Sequence, residues 1–375
     1  MPLIQTTVPL LDLTAQYEPI KDDVLAVIKE VFDSKVFILG PKVTQFEAQA
    51  AAYCHVNHAI GVSSGTDAIL MALMAMGIGQ GDEVITAPFT FFATAGCISR
   101  VGATPVFVDI DPHTFNIDPH LIEASITPRT KAIMPVHLFG HMADMDAVMA
   151  IAKKHGLYVI EDASQAIGSH YTNSKGEVKW AGSVGDVGCF SFFPSKNLGG
   201  IGDGGMITTQ NSHLADTLIK LRNHGAQERY FHEMVGGNFR LDAIQAAVLS
   251  VKLPTLEEQH RLRQKNGAYY NEHLHSLVTI PFVKPGFRMI YNQYTLRTPK
   301  RDALHAWLDQ RQIGNAIYYP LPLHLQKCFA HLGYEAGDFP ESEKAALEVL
   351  SIPIYSELNT EQKQAVVEAI KAFFN

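Results

Sequence analysis

The stretch Val187-Gly188-Cys189-Phe190-Ser191-Phe192-Phe193-Pro194-Ser195-Lys196-Asn197-Leu198-Gly199 runs an apolar segment straight into a lysine. Val187 to Phe193 reads as a buried strand, and the Pro and Gly residues around Lys196 read as the turn that ends it. Burying an ammonium group is costly, so lysines are seldom placed in such company. Where water is scarce the neutral amine is favoured, and that form attacks carbonyl carbons to make Schiff bases. Taken alone, Lys196 reads more readily as a solvated loop lysine.

Two other segments change the weighing. Leu157-Tyr158-Val159-Ile160-Glu161-Asp162-Ala163 is a short apolar run ending in acids, a buried strand with Asp162 at its C-terminal end. Ligands of open α/β sheets bind at that edge. A carboxylate there suits the protonated ring nitrogen of pyridoxal phosphate (PLP), though an Asp capping the next turn is the ordinary alternative. Ser63-Ser64-Gly65-Thr66-Asp67 precedes the helix-forming run Ala68 to Met76. Hydroxyls and free amides at a helix N-terminus make an anion site suited to a phosphate; plain N-capping by Ser or Thr is the alternative. Lysine, strand-end acid and phosphate cradle are together the three parts of a PLP site.

The order of motifs carries a resemblance. Phe37-Ile38-Leu39-Gly40-Pro41, Ser64-Gly65-Thr66-Asp67-Ala68, Pro88-Phe89-Thr90-Phe91, Glu161-Asp162-Ala163-Ser164-Gln165, Ser191 to Gly199, Gly202-Asp203-Gly204-Gly205, Asn238-Phe239-Arg240-Leu241-Asp242 and Pro320-Leu321-Pro322-Leu323-His324 follow one another through nearly the whole chain. In this the chain resembles the DegT/DnrJ/EryC1/StrS family of PLP-dependent sugar aminotransferases. The resemblance implies an aspartate-aminotransferase-like α/β fold (PLP fold type I), with a mixed, mainly parallel seven-stranded sheet and a smaller C-terminal α+β domain. It implies Lys196 as the Schiff-base lysine, Asp162 as the partner of the ring nitrogen and Gln165 near the ring hydroxyl. Phe91 resembles the aromatic stacked on the ring, and Ser64, Gly65, Thr66 and Ser191 resemble phosphate-binding positions. Asn238 resembles an asparagine reaching the phosphate from the other subunit of a homodimer. Arg240 and Tyr319 resemble positions facing the sugar nucleotide. Many relatives carry histidine where this chain has Tyr318, a departure that touches the sugar pocket and not the PLP machinery.

The activity so implied is transfer of an amino group from L-glutamate to a nucleotide-linked keto-sugar, with ping-pong kinetics, in amino-sugar and cell-surface polysaccharide biosynthesis. The lysine motif resembles relatives that aminate C3 more than those acting at C4. A PLP-dependent sugar dehydratase of the same fold and a non-enzymatic regulator are the alternatives. Some dehydratases replace the lysine with histidine, and a regulator has no need of Lys196, Asp162 and a phosphate cradle together.

The remaining sequence is consistent with this. The 375 residues, 47% of them hydrophobic, suffice for one large α/β unit or two domains. A formal net charge of -8 argues against a broad grip on nucleic acid. Cys54, Cys97, Cys189 and Cys328 are scattered without a CxxC pair, which suits a reducing compartment. No apolar run is long enough for a membrane span. Met1 to Leu13 lacks the basic cluster of a signal peptide, so a cytoplasmic protein is expected.

Short apolar runs alternate with helical stretches from Ala59 to Thr209, as parallel strands with crossover helices require. Strands are expected at 59–62, 83–87, 104–108, 132–136, 157–161, 187–192 and 205–208. The last two are separated only by the lysine turn and are expected to be antiparallel. Helices are expected at 93–100, 119–125, 145–155, 241–251, 256–275, 301–312, 341–350 and 361–373. A large PLP-binding domain over 1–254 and a small domain over 255–375 follow from the change of texture after residue 254. Gly200-Ile201-Gly202-Asp203-Gly204-Gly205 fits G-x-G-x-x-G, but a strand-like run follows it, so it reads as a turn and not a dinucleotide fingerprint. His232-Glu233 lacks the second histidine of a zincin, His137 and His141 flank a turn glycine, and no metal site is expected.

Overall fold

The computed structural model describes residues 7–375, so the first six residues of the stretch weighed as a signal peptide lie outside the described residues. All seven expected strands fall in one sheet. In spatial order they are His58–Val62, Gly205–Thr209, Val187–Ser191, Tyr158–Asp162, Thr130–Ile133, Glu83–Thr86 and Thr104–Phe107. Six run in the same direction, and Gly205–Thr209 is antiparallel to both of its neighbours. The reversed strand fits a connection, residues 192–204, that contains no helix to carry a parallel crossover. Helices cover the sheet on both faces, which is why the strands are continuously apolar rather than alternating.

Local chemistry sets the helix ends. Asp144 caps Met145–His155 by accepting from the Ala147 amide at 3.4 Å, and Gly156 closes it at a φ of 66°. Lys153, Lys154 and His155 then sit against the negative end of the helix dipole. Ser64 caps Gly65–Ala75, a helix buried along most of its length beneath the sheet. The helices Lys21–Ser34 and Pro41–Tyr53 were not anticipated from the sequence; both pack against Ala243–Lys252.

Beyond residue 254, the helical turn Leu253–Thr255 leads directly into Leu256–Leu274. The expected helix over 341–350 is corrected at its end. It spans Pro340–Glu348, and Val349–Ile352 is instead a strand paired antiparallel with Tyr294–Arg297. Glu348 there binds Arg297 at 2.8 Å, so the chain leaves the helix to meet a partner some fifty residues distant, beyond the reach of local propensity. The helix expected over 301–312 stops at Asp309, and the 119–125 segment divides into Pro119–Ile122 and a tighter turn over Glu123–Ser125. A small sheet of Phe287–Arg288, His170–Thr172 and Val178–Trp180 was also not anticipated.

Candidate active site

Asp162 ends the central strand Tyr158–Asp162 and is buried. Its Oδ2 accepts from Thr94 Oγ1 at 2.7 Å, and its Oδ1 accepts from the Ser164 amide at 3.2 Å. Thr94 Oγ1 lies 3.2 Å from Thr90 Oγ1, so two buried hydroxyls stand in line behind the carboxylate. Asp162 thus both shapes the following turn and presents a fixed acid at the sheet edge. The neighbouring Glu161 is equally buried but turned to structural work. It accepts from the amides of Gly182, Val184 and Gly185 at 2.7–2.8 Å and from His137 Nε2 at 2.8 Å. His137 Nδ1 accepts from the Ala143 amide, which places the ring proton on Nε2, facing Glu161.

Lys196 sits in the turn after Val187–Ser191. Its amide donates to the Phe193 carbonyl at 2.8 Å, and the Gly200 amide donates to Phe192 at 2.8 Å. The turn is also bolted from outside. Lys252 Nζ donates to the Gly199 carbonyl at 2.6 Å. Asn197 Nδ2 donates to the Ile290 carbonyl at 3.2 Å, and Asn197 Oδ1 accepts from Asn292 Nδ2 at 2.7 Å. The Lys196 side chain itself has no hydrogen bond or ion pair among the described residues. Part of its surface meets the cavity, yet protein packs most of the volume around the amine. Loss of hydration lowers its pKa to about 8, against the opposing pull of the Asp162 charge.

The proposed phosphate end is formed where Gly65–Ala75 begins. Ser63 and Ser64 donate their hydroxyls to Asp67 at 2.6 and 3.1 Å, and Ser64 Oγ accepts from the Asp67 amide at 3.0 Å. Ser64 is therefore the helix cap, and the first-turn amides of Gly65 and Thr66 have no carbonyl behind them to bond. The cradle is tight. A Cβ on Gly65 would lie 2.7 Å from Ser191 Cβ, and one on Gly205 would lie 2.4 Å from the Ser64 carbonyl. Glycine is needed at both places for close approach rather than for backbone freedom.

These parts converge on one cavity of about 480 Å³, lined by Ser64, Gly65, Thr66, Phe91, Asp162, Gln165, Ser191, Lys196 and Tyr319 among others. That volume lies in the range of small-molecule sites. Phe91 is 57% exposed, an aromatic ring left open beside the cavity instead of packed in the core. Gln165 Oε1 accepts from the Phe139 amide at 2.7 Å, and its Nε2 donates to Tyr319 Oη at 3.2 Å, leaving the Tyr319 proton free. Burial pushes the Tyr319 phenol up, so it stays protonated through the physiological range. Of the candidate residues, Asn238 and Arg240 do not line this cavity. Asn238 is exposed, and Arg240 binds Asn223 Oδ1 at 2.7 Å. The sequence reading missed Thr90, Thr94, Asp203 and Gln293 as lining or supporting residues, while Tyr318, which it set at the sugar pocket, does line the cavity. Among the described residues, no group of three or more His, Cys, Asp or Glu is placed to hold a metal, and no helix is long and apolar enough to cross a membrane.

Comparison with known proteins finds a matching family model and relatives along nearly the full chain. Residues 18–371 match the model of the DegT/DnrJ/EryC1/StrS aminotransferase family. A UDP-N-acetyl-3-dehydro-alpha-D-glucosamine 3-aminotransferase of Acidithiobacillus ferrooxidans is 46% identical, with 98% of each chain covered. A protein of Geobacillus stearothermophilus named as a pleiotropic regulatory protein is 53% identical over 98% of each chain. The crystal structure of S. venezuelae DesV with a ketimine intermediate superposes with a TM-score of 0.95 at 42% identity, covering 98% of this chain and 99% of that one.

Proposed function

The chain belongs to the DegT/DnrJ/EryC1/StrS aminotransferase family, and from that premise we propose how its own residues carry the reaction. It is a PLP-dependent aminotransferase acting on a nucleotide-linked sugar. PLP, when bound, supplies the electron sink for the carbanion next to the amino-bearing carbon. The residues fit that group: free amides and close-approach glycines for an anion, an acid on the sheet edge, an open aromatic ring, and a poorly hydrated amine in one cavity. Asp162 holds a proton on the ring nitrogen, with Thr94 fixing its orientation. Gln165, which donates to Tyr319 Oη at 3.2 Å, would stand with it near the ring hydroxyl. Gly65, Thr66 and Ser191 hold the phosphate, with Ser64 contributing mainly as the cap that shapes the turn. Phe91, open at the cavity, would cover a face of the ring. Lys196 Nζ is the base that takes the α-proton of the amino donor. Its pKa of about 8 leaves a useful fraction neutral near pH 7 while it remains basic enough to accept a proton.

The finer reading is amination at C3 of the keto-sugar, with L-glutamate as donor. The 46% identity to an enzyme named for 3-amination supports the position. We further assign the large unit to 1–254, the small one to 255–375, and the working form to a homodimer. What favours the dimer is that Asn238 is exposed away from its own cavity, next to a hairpin whose Tyr230, Phe231 and Val235 are 76%, 67% and 88% exposed. Such a face suits a second copy. Asn238 and Arg240 would then complete the neighbour's site. The regulatory name of one relative does not favour a regulator here, since regulation alone requires no half-buried amine facing an acid.

The observation that carries the reading is Lys196 and Asp162 in the same cavity. Borohydride treatment of the coloured protein, followed by peptide mapping, tests it: the cofactor should be fixed on Lys196. Incubation with glutamate and UDP- or dTDP-linked 3-keto-sugars then tests the substrate class. Cofactor fixed elsewhere, or colour unaffected by every amino donor, would refute the proposal.

A further inference from the structure

Two hydroxyls are buried behind the acid of the cavity, and only one of them bonds to it. Thr90 and Thr94 are 2% and 0% exposed. Thr94 Oγ1 gives its single proton to Asp162 Oδ2 at 2.7 Å, since a carboxylate only accepts. The 3.2 Å contact between the two threonines is therefore a bond that Thr90 donates and Thr94 accepts. Among the described residues it is the only side-chain hydrogen bond of Thr90. Burying a hydroxyl is costly, and valine has the same shape without that cost. Packing alone thus gives no reason for threonine at either position.

Thr90 also stands where the parts of the cavity wall are joined. Before it, the Pro88 carbonyl accepts from the Leu323 amide at 2.7 Å, and the Phe89 ring lies 6.1 Å from that of Tyr319. After it, the open Phe91 ring lies 6.3 Å from Tyr319, and the Phe91 carbonyl accepts from the Thr94 amide at 3.3 Å. The bond from Thr90 to Thr94 ties this segment to the acid at the end of Tyr158–Asp162. A hydroxyl that accepts a hydrogen bond donates its own more strongly, and a chain of buried bonds stiffens its last member.

We infer that Thr90 is a positioning residue: acting through Thr94, it holds the Asp162 carboxylate where it pairs with the cofactor's ring nitrogen, and keeps the Phe91 segment in register with that acid. This rests on the aminotransfer reading above. The direction of the bonds makes the inference specific. The effect belongs to the oxygen of Thr90 and not to its methyl group, and it passes through Thr94.

The test compares Thr90→Val, which keeps the shape and removes the oxygen, with Thr90→Ser, which keeps the oxygen and removes the methyl. PLP affinity is measured by fluorescence titration of cofactor-free protein, and the colour of the reconstituted protein is followed against pH. Thr90→Val should weaken PLP binding about two- to fivefold, the scale of one neutral hydrogen bond. It should also move the pH midpoint of the colour change upward. A positive charge held on the ring nitrogen disfavours a second one on the cofactor, and a loosened acid holds the first less firmly. Thr90→Ser should stay near wild type in both measurements. Thr90→Val added to Thr94→Val should weaken binding no further, because the path is already cut. The inference is overturned if Thr90→Val leaves affinity and midpoint unchanged, if Thr90→Ser is the more impaired, or if the losses multiply in the double variant. Thr90→Val melting far below Thr90→Ser would mark the hydroxyl as structural and overturn it too. Wild-type protein whose bound cofactor responds to no amino donor would instead sink the aminotransfer reading, and the inference with it.

Discussion

At the floor of the cavity, Asp162, Gln165 and Lys196 stand on strand ends and turns whose hydrogen bonds are complete within this chain. At the rim, Phe91 and Phe193 are more than half exposed, and the hairpin carrying Tyr230, Phe231 and Val235 projects apolar side chains with little covering them. The floor is preorganised by one chain, so the chemistry there is set when the chain folds. The rim is finished only by what binds to it. Changes at the floor should therefore act on the reaction itself, and changes at the rim on affinity and assembly.

The sharpest way to break that contrast is Lys196→Ala. It removes the proposed base and the covalent anchor together, and turnover measured by keto-acid release should fall at least about 10³-fold while folding, followed by circular dichroism, is kept. Asp162→Asn comes next. Loss of the carboxylate should lower turnover by about 10²- to 10³-fold, the scale of losing one charged partner in a water-poor site. It should also leave a signature at the lysine. In cofactor-free protein the Lys196 amine should become reactive toward a small aldehyde with a midpoint near pH 8, because neutral amine accumulates as pH rises through its pKa. Asp162 opposes the shift caused by burial, so the Asn variant should move that midpoint lower. A midpoint near that of a free lysine would mean that the floor is wetter than described.

The rim is tested by mixing inactive chains. Asn238→Ala should be impaired and Lys196→Ala inactive, and hybrids of the two should recover up to about a quarter of wild-type activity if each site draws on both chains. No recovery would make the rim as self-sufficient as the floor. The smallest expected effect is that of Thr94→Val. It removes one hydroxyl from Asp162, worth about 0.5–1.5 kcal/mol, so PLP affinity should weaken about two- to tenfold in fluorescence titrations, with the protein still folded.

The same division governs what was legible in the sequence. Asp162 announces itself by ending an apolar run, and Lys196 by its turn, because both signals are local. All seven sheet strands were placed for the same reason, with boundaries off by one to three residues. Thr94 was not legible. A threonine early in a helix is unremarkable until the fold carries it to a carboxylate 68 positions away. Gln293 is hidden likewise, since only the folded chain brings it to the cavity wall. The first two residues of the strand Val349–Ile352 were read as helix because its pairing partner is remote, and strands of two or three residues in the small sheet are too short to show a period. Asn238 and Arg240 were named by resemblance alone, and the single chain leaves them outside the cavity whose residues they were grouped with.

Lys252 adds a last consequence. Burial lowers its pKa as well, and its amine is spent on the Gly199 carbonyl and on Gln16. Two lysines with softened basicity thus flank one loop, one with its amine unbonded at the cavity and one with its amine tied to the loop. An amine-seeking reagent applied to the cofactor-free protein near neutral pH would be steered by these bonds rather than by proton affinity, marking position 196 and sparing 252. The fold offers a built-in selectivity for covalent probes, and labelling at 252 would report that the loop had come loose.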